Sequence, residues 1–348
     1  MGDREKQEPP VAAAVPAARN IGIDLARGVA VVLMIQTHAL DGWASAAAKT
    51  GWGYALSRAF ANIPAPLFLL LAGIGLCFGY NPARGAARGR LARRALQVVG
   101  YGYLVSLIYT LIEGRLDLKA LLRADILHCI GLSLLLCAWL LVGRSHLGLR
   151  AAALSGAALL TGLAAGRWLP PLPDWLAVPT ALLVDVPGYT RFPLFPLCGF
   201  TAVGVAVGAA LKRRSPTVGF CLVGLLLLVA LVPVWQKLTG VTLALLGGKL
   251  SRSHPAVVWN FLEGTARALS VLSLSLALAV KLPPSTYGFL LRLGRGSLLA
   301  YGFHIPLCYG RVATRILGKL SIGPATVLLV LLIGLTWLVV WEIGRAHV

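Results

Sequence analysis

The segment IGIDLARGVAVVLMIQTHALDGW, residues 21–43, is mostly apolar yet carries Asp24, Arg27, Gln36 and His38. Ionisable groups inside an apolar run are costly, so they are found paired or at work. Asp24 and Arg27 are i,i+3 neighbours, the spacing at which a carboxylate and a guanidinium meet on one helix face. Arg27 and His38 stand eleven residues apart. On an α-helix that step returns to within about 20° of its starting direction and advances about 16 Å. The two side chains therefore share a face at different depths. Histidine titrates near neutral pH and suits a general base. Arginine suits a carboxylate or a phosphate. A plainer reading stays open beside this one, with Asp24 and Arg27 as an interfacial anchor and His38 as an end cap.

Other polar groups recur in apolar surroundings. In AFANIPAPLFLLLAGIGL, Pro64 and Pro66 remove backbone donors. The freed carbonyls and Asn62 are expected either to line a polar cavity or to mark a packing kink. Asp125 and His128 in RADILHCIGL are i,i+3 neighbours, available to a substrate or to each other. Glu263 and Arg267 have the favourable i,i+4 order and read as a structural pair. Ser297, Tyr301 and His304 in GRGSLLAYGFHIPL fall on one helical stripe and are expected to line a substrate cavity. No GxSxG, P-loop, GxGxxG or HExxH pattern is present, and no histidine or cysteine spacing suggests a metal site. The six cysteines form no C-x-x-C pair and read as small packing residues.

These residues need helices that cross a bilayer to hold them. Of 348 residues 58% are hydrophobic and 13% charged, against about 25% charged in a soluble domain. Mean hydropathy is +0.80. The apolar runs are long and unbroken, which excludes a β-barrel and leaves an all-α polytopic membrane helix bundle. About ten transmembrane helices are expected, near 21–40, 57–80, 91–113, 122–143, 148–168, 192–212, 216–236, 256–280, 290–310 and 320–341. Residues 1–20 read as a disordered cytoplasmic tail, and 21–341 as one transmembrane domain. The heptapeptide from Glu342 to Val348 resembles a translated sequencing adapter. A non-native end is therefore expected there, and neither Arg345 nor His347 is given a role. The Pro-rich stretch 169–191, with Trp175 and Tyr189, is expected to be an ordered interfacial loop. The net charge of +20 is read as loop cations that set topology and touch anionic headgroups, not as a nucleic-acid surface. The arginine cluster in NPARGAARGRLARR places the N-terminus in the cytoplasm. The final loop, with Arg311, Arg315 and Lys319, argues the other way.

Five blocks occur in order: RNIGIDLARGVAVVLMIQTH, FANIPAPLFLLLAGIGLCFG, DILHCIGLSLLL, RFPLFPLCGFTAVGVAVGA and LGRGSLLAYGFHIPL. Together they resemble the bacterial branch of the heparan-α-glucosaminide N-acetyltransferase catalytic-domain family. Arg27 and His38 also match the R-x10-H pattern of the wider membrane-bound acyltransferase group. The resemblance implies acyl transfer from cytoplasmic acetyl-CoA or another acyl-CoA to a sugar-like amine or hydroxyl, carbohydrate or glycolipid, on the far side of the membrane. It implies a bacterial inner-membrane enzyme, without a metal, for which a homodimer is admitted. In the lysosomal members an Asn stands at the position of His38, and the acetyl-carrying His lies in the first luminal loop. Here that loop, Asp41 to Tyr54, contains no His.

On this reading His38 is the base, Asp24 and Arg27 hold the donor or fix the helix, and Arg84, Arg88 and Arg90 meet the coenzyme A phosphates. Two other functions remain open. A secondary transporter also has many spans with polar groups at mid-membrane, although the two halves show no repeat. A glucan or lipid O-acyltransferase differs only in acceptor.

Overall fold

The computed structural model describes residues 20–81, 86–113, 121–213 and 254–346. The expected tail, the expected span at 216–236, Arg84, Cys221 and His347 lie outside these residues. Helix α1 (Ile21–Trp43) starts where the Asn20 side chain accepts the Ile23 N–H at 3.3 Å. Two short helices, α2 (Ala46–Lys49) and α3 (Trp52–Ala61), follow, and α4 (Pro64–Gly79) places Pro64 in its first turn, where a missing N–H costs nothing. Then come α5 (Ala87–Glu113), α6 (Ile126–Leu140), α7 (Leu147–Trp168), α8 (Asp174–Leu183) and α9 (Leu194–Lys212). The last four are α10 (His254–Lys281), α11 (Gly288–Arg295), α12 (Ser297–Tyr309) and α13 (Ile322–Ala346).

The chain is an all-α polytopic bundle, as expected. Among the described residues seven stretches are long and apolar enough to cross a bilayer as single spans: 21–43, 52–79, 87–112, 147–168, 194–212, 260–281 and 322–346. The expected fourth span is α6, only 15 residues long, about 22 Å of helix. The expected ninth is broken at Gly296 into α11 and α12. The break divides a run whose first part carries Arg292 and Arg295, and these leave the apolar stripe to meet partners elsewhere.

Packing sets α1 at the centre. Most of its apolar window is buried, whereas α5, α7 and α13 turn most of theirs outward, as lipid-facing helices do. Helices α11 and α12 both pack on α1: α11 crosses it where Gly28 lies against Leu290 and Asp24 against Gly294, and α12 lies beside its far part, with His38 against His304 and Trp43 donating to the Cys308 carbonyl at 3.1 Å. Close approach requires glycine here. A β-carbon on Gly28 would fall on the Leu290 carbonyl, and one on Gly294 on the Asp24 carbonyl. Small residues at such crossings are how helices associate in lipid, where no hydrophobic force drives them together. Helices α4 and α9 meet the same way through Gly73 and Gly204. The loop after α12 closes over the end of α1, with Gly318 and Leu320 N–H groups donating to the Gly42 and Trp43 carbonyls at 2.9 and 3.0 Å.

The expected interfacial loop at 169–191 contains α8, packed through Ala177, Ala181 and Val186, with Trp175 left exposed. The Glu263–Arg267 pair forms as expected, and Arg267 also donates to the Ala59 carbonyl at 3.1 Å, tying α10 to α3.

Candidate active site

At the end of α1 distal to Asp24, His38 Nδ1 lies 2.8 Å from His304 Nε2. The ring centroids are 5.1 Å apart and the planes differ by 7°. That separation with that nitrogen contact describes two coplanar rings joined edge to edge, not a face-to-face stack. His304 is wholly buried, and its Nδ1 lies 2.7 Å from the Ala300 carbonyl. Two tyrosines hold the pair: the Tyr309 ring meets His38 edge-on at 5.8 Å, and the Tyr301 ring meets His304 edge-on at 5.9 Å. The Tyr301 hydroxyl donates to the Asp125 carboxylate. Thus α1, α12 and the start of α6 converge on one polar cluster. Asp41, one turn beyond His38, accepts from the Tyr54 hydroxyl at 2.9 Å and has Lys49 and Arg58 at 4.0 Å.

The expected residues divide. His38, His304, Tyr301 and Asp125 come together. His128 does not join them: its Nδ1 accepts the Asp125 N–H at 3.1 Å in a capping box, and its ring packs on Tyr103 at 4.2 Å. The Asp125–His128 contact is thus the local pair, while the Asp125 carboxylate reaches Tyr301. Asn62 is exposed at the break between α3 and α4. Ser297 opens α12 one end away from the histidines, about 10 Å down the axis from His304.

Asp24 and Arg27 lie at the other end of α1, and the pair is formed at 3.0 Å. Asp24 is buried, and Arg295 Nε approaches its second oxygen at 3.5 Å. The carboxylate therefore clamps α1 to α11. Arg88 is engaged as a cap: its guanidinium donates twice to the Val142 carbonyl, at 3.1 and 3.3 Å, beyond the end of α6. Lys212 caps α4 in the same way through the Tyr80 and Cys77 carbonyls, at 3.1 and 3.4 Å. Cations suit these positions because carbonyl dipoles converge there. Arg90 stands two residues on in α5. A cleft of about 210 Å³ opens at this end, lined by Tyr80, Gly143, Leu147, Lys212 and Arg213 among others.

Sequence reading missed Arg295, Tyr309 and the Ala300 carbonyl. The signal for Arg295 was a charge at the start of an apolar span, which requires a partner. Nothing in the local pattern pointed to Tyr309, because it faces His38 only through the parallel packing of α12 on α1.

The bundle thus carries a half-buried histidine joined to a wholly buried one at one end and a cationic cleft at the other. A family model described as heparan-alpha-glucosaminide N-acetyltransferase, catalytic, matches residues 19–232. The chain belongs to this family and is a multi-pass membrane acetyltransferase. Among curated proteins none matches it. Asp24, Arg27, His38 and Asp125 lie inside the matched stretch, and Arg295, Tyr301 and His304 beyond it.

Proposed function

We propose that the chain transfers an acetyl group from acetyl-CoA to a sugar-like hydroxyl or amine, with His38 as general base. The family uses acetyl-CoA as its donor in general. One observation carries the residue assignment. His38 is anchored through Nδ1, while its Nε2 has no hydrogen-bond partner among the described residues. An imidazole held by one nitrogen and open at the other is the arrangement a general base needs.

In this scheme the acceptor X–H gives its proton to His38 as X attacks the thioester carbonyl carbon. The tetrahedral intermediate expels the thiolate of coenzyme A, which takes the proton back. No nucleophilic side chain is needed, because a thioester is already activated and the gain comes from holding donor and acceptor together. The donor comes from the Asp24 end, taken to be cytoplasmic in a bacterial inner membrane. There Arg90, Arg213 and the cleft beside Lys212 meet its phosphates, and Asp24 with Arg27 and Arg295 fixes the helices around it. The pantetheine arm then covers the roughly 16 Å between Arg27 and His38. The acceptor, a carbohydrate or glycolipid, reaches His38 from the opposite side. Membership in an acetyltransferase family speaks against a secondary transporter.

The test is direct. Purified protein in detergent receives radiolabelled acetyl-CoA with glucosamine-ended and hydroxyl-only oligosaccharides. Labelled product with release of free coenzyme A thiol is expected. Persistence of the thioester with every acceptor would sink the reading.

A further inference from the structure

His304 makes two contacts whose proton positions are linked. A carbonyl oxygen carries no proton, so the 2.7 Å contact to Ala300 is a hydrogen bond only if His304 Nδ1 donates. A neutral imidazole holds one ring proton. With Nδ1 protonated, His304 Nε2 is a lone pair, and the 2.8 Å contact to His38 is a hydrogen bond only if His38 Nδ1 donates. His38 Nε2 is then without a proton. The other assignment makes His304 an imidazolium. It is wholly buried, and its neighbours are the His38 ring from α1, the Ala300 carbonyl and the Tyr301 ring from α12, with no carboxylate among its hydrogen-bond partners. The near carboxylate, Asp125 at the start of α6, is taken by the Tyr301 hydroxyl. Burying a cation without a paired anion is strongly unfavourable, so the neutral pair is preferred.

We infer that His304 is a positioning residue that locks His38 in the Nδ1–H tautomer and so makes Nε2 the atom that takes the acceptor's proton. The order runs from the Ala300 carbonyl through His304 to His38, and each member dictates the next. During transfer the proton that arrives on His38 Nε2 makes an imidazolium, and its Nδ1–H then donates a charge-assisted bond to the His304 lone pair. When the thiolate leaves, it takes the Nε2 proton, and both rings return to their starting state. The sequence needs no reactant besides acetyl-CoA and the acceptor. This role is distinct from contact with substrate, the part first expected for His304, because both its nitrogens are occupied by the protein. It rests on the proposed function for its catalytic meaning, but the tautomer itself does not.

Two variants test it. In His304→Gln the amide NH2 can donate to the Ala300 carbonyl while the amide oxygen accepts from His38 Nδ1, reproducing both contacts. In His304→Leu neither remains. The readout is the ring ¹⁵N shift pattern of His38 in full-length protein in nanodiscs, assigned by its loss in His38→Asn, and recorded without substrate. Wild type and His304→Gln are expected to show Nδ1 protonated and Nε2 bare, and His304→Leu a mixture or the reverse. Turnover should stay within about tenfold in His304→Gln and fall about 10²-fold or more in His304→Leu, the lower part of the range for lost general-base function, with KM for acetyl-CoA unchanged. Unchanged His38 shifts in a folded His304→Leu overturn the inference, as does a His304→Gln that keeps the tautomer yet is as slow as His304→Leu. If the shifts follow the expected pattern while wild type transfers no acetyl group, the lock stands and the proposed function fails.

Discussion

At the residue scale the proposed chemistry rests on which nitrogen of His38 is bound and which is open. His38→Ala is expected to leave a folded protein that retains acetyl-CoA on a filter or column yet transfers about 10²–10⁴-fold more slowly, the usual loss when a general base is removed. His38→Asn is the sharper variant, because the lysosomal relatives of the resemblance carry Asn there. Near-normal turnover by His38→Asn would mean that the position orients a group by hydrogen bonding and takes no proton. A second expectation concerns intermediates: after brief exposure to radiolabelled acetyl-CoA without acceptor, denatured protein should carry no label. Label retained on His38 would replace direct attack with a two-step relay. The spacing of Asp24, Arg27 and His38 was legible because one helix sets it. The link from Asp125 to Tyr301 was not, since those residues stand 176 apart and no local period connects α6 with α12. Each appeared in the sequence only as a polar group lacking a visible partner.

At the element scale the site depends on two helices lying close enough for their imidazoles to meet. The tightest approach is that of α1 to α11, the helix that leads into α12, and there Gly28 and Gly294 each face the other helix's backbone with no room for a side chain. Gly28→Val must push α11 away from α1, which stretches both the His38–His304 bond and the Asp24–Arg295 pair. Overpacking of this kind costs about 1–3 kcal/mol and sometimes more. The variant is therefore expected to melt several degrees lower in detergent and to lose transfer. Gly100→Val is the control. A β-carbon there meets nothing within 4 Å and the position faces outward on α5, so melting and turnover should both be unchanged. Equal damage by the two variants would show that glycine acts here through the helix backbone, not through the crossing. Composition alone revealed that helices fill this chain, since apolar runs of about 20 residues have few other uses. It did not reveal that the ninth run breaks at Gly296. Both halves of that run are apolar on one face, and the break follows from Arg292 and Arg295 turning toward the aromatic rings of α13 and toward Asp24.

At the scale of the whole molecule the question is which end faces the cytoplasm, since that fixes the side from which the donor comes. Cations crowd the Asp24 end: Arg88, Arg90, Arg93 and Arg94 at the start of α5, Arg144 between α6 and α7, Arg150 in the first turn of α7, and Lys212 with Arg213 at the end of α9. The His38 end carries Lys49, Arg58, Arg191 and the late group Arg311, Arg315 and Lys319. Loop lysines and arginines bias insertion toward the cytoplasm, and early loops usually dominate. The early cluster precedes the late one by more than 200 residues, so the Asp24 end should be inside. Ala47 on α2 and Ser145 between α6 and α7 are both exposed and lie at opposite ends. Background labelling is small, because Cys129, Cys137, Cys198 and Cys308 are buried and Cys77 is partly so, and Cys221 can be replaced by serine. In that background Ala47→Cys should react with a membrane-impermeant maleimide in intact cells, and Ser145→Cys only after the cells are opened. The reverse pattern would turn the bundle over. The cationic cleft would then face away from the cytoplasmic acetyl-CoA pool, and neither the donor path nor the arrival of an outer acceptor at His38 would survive.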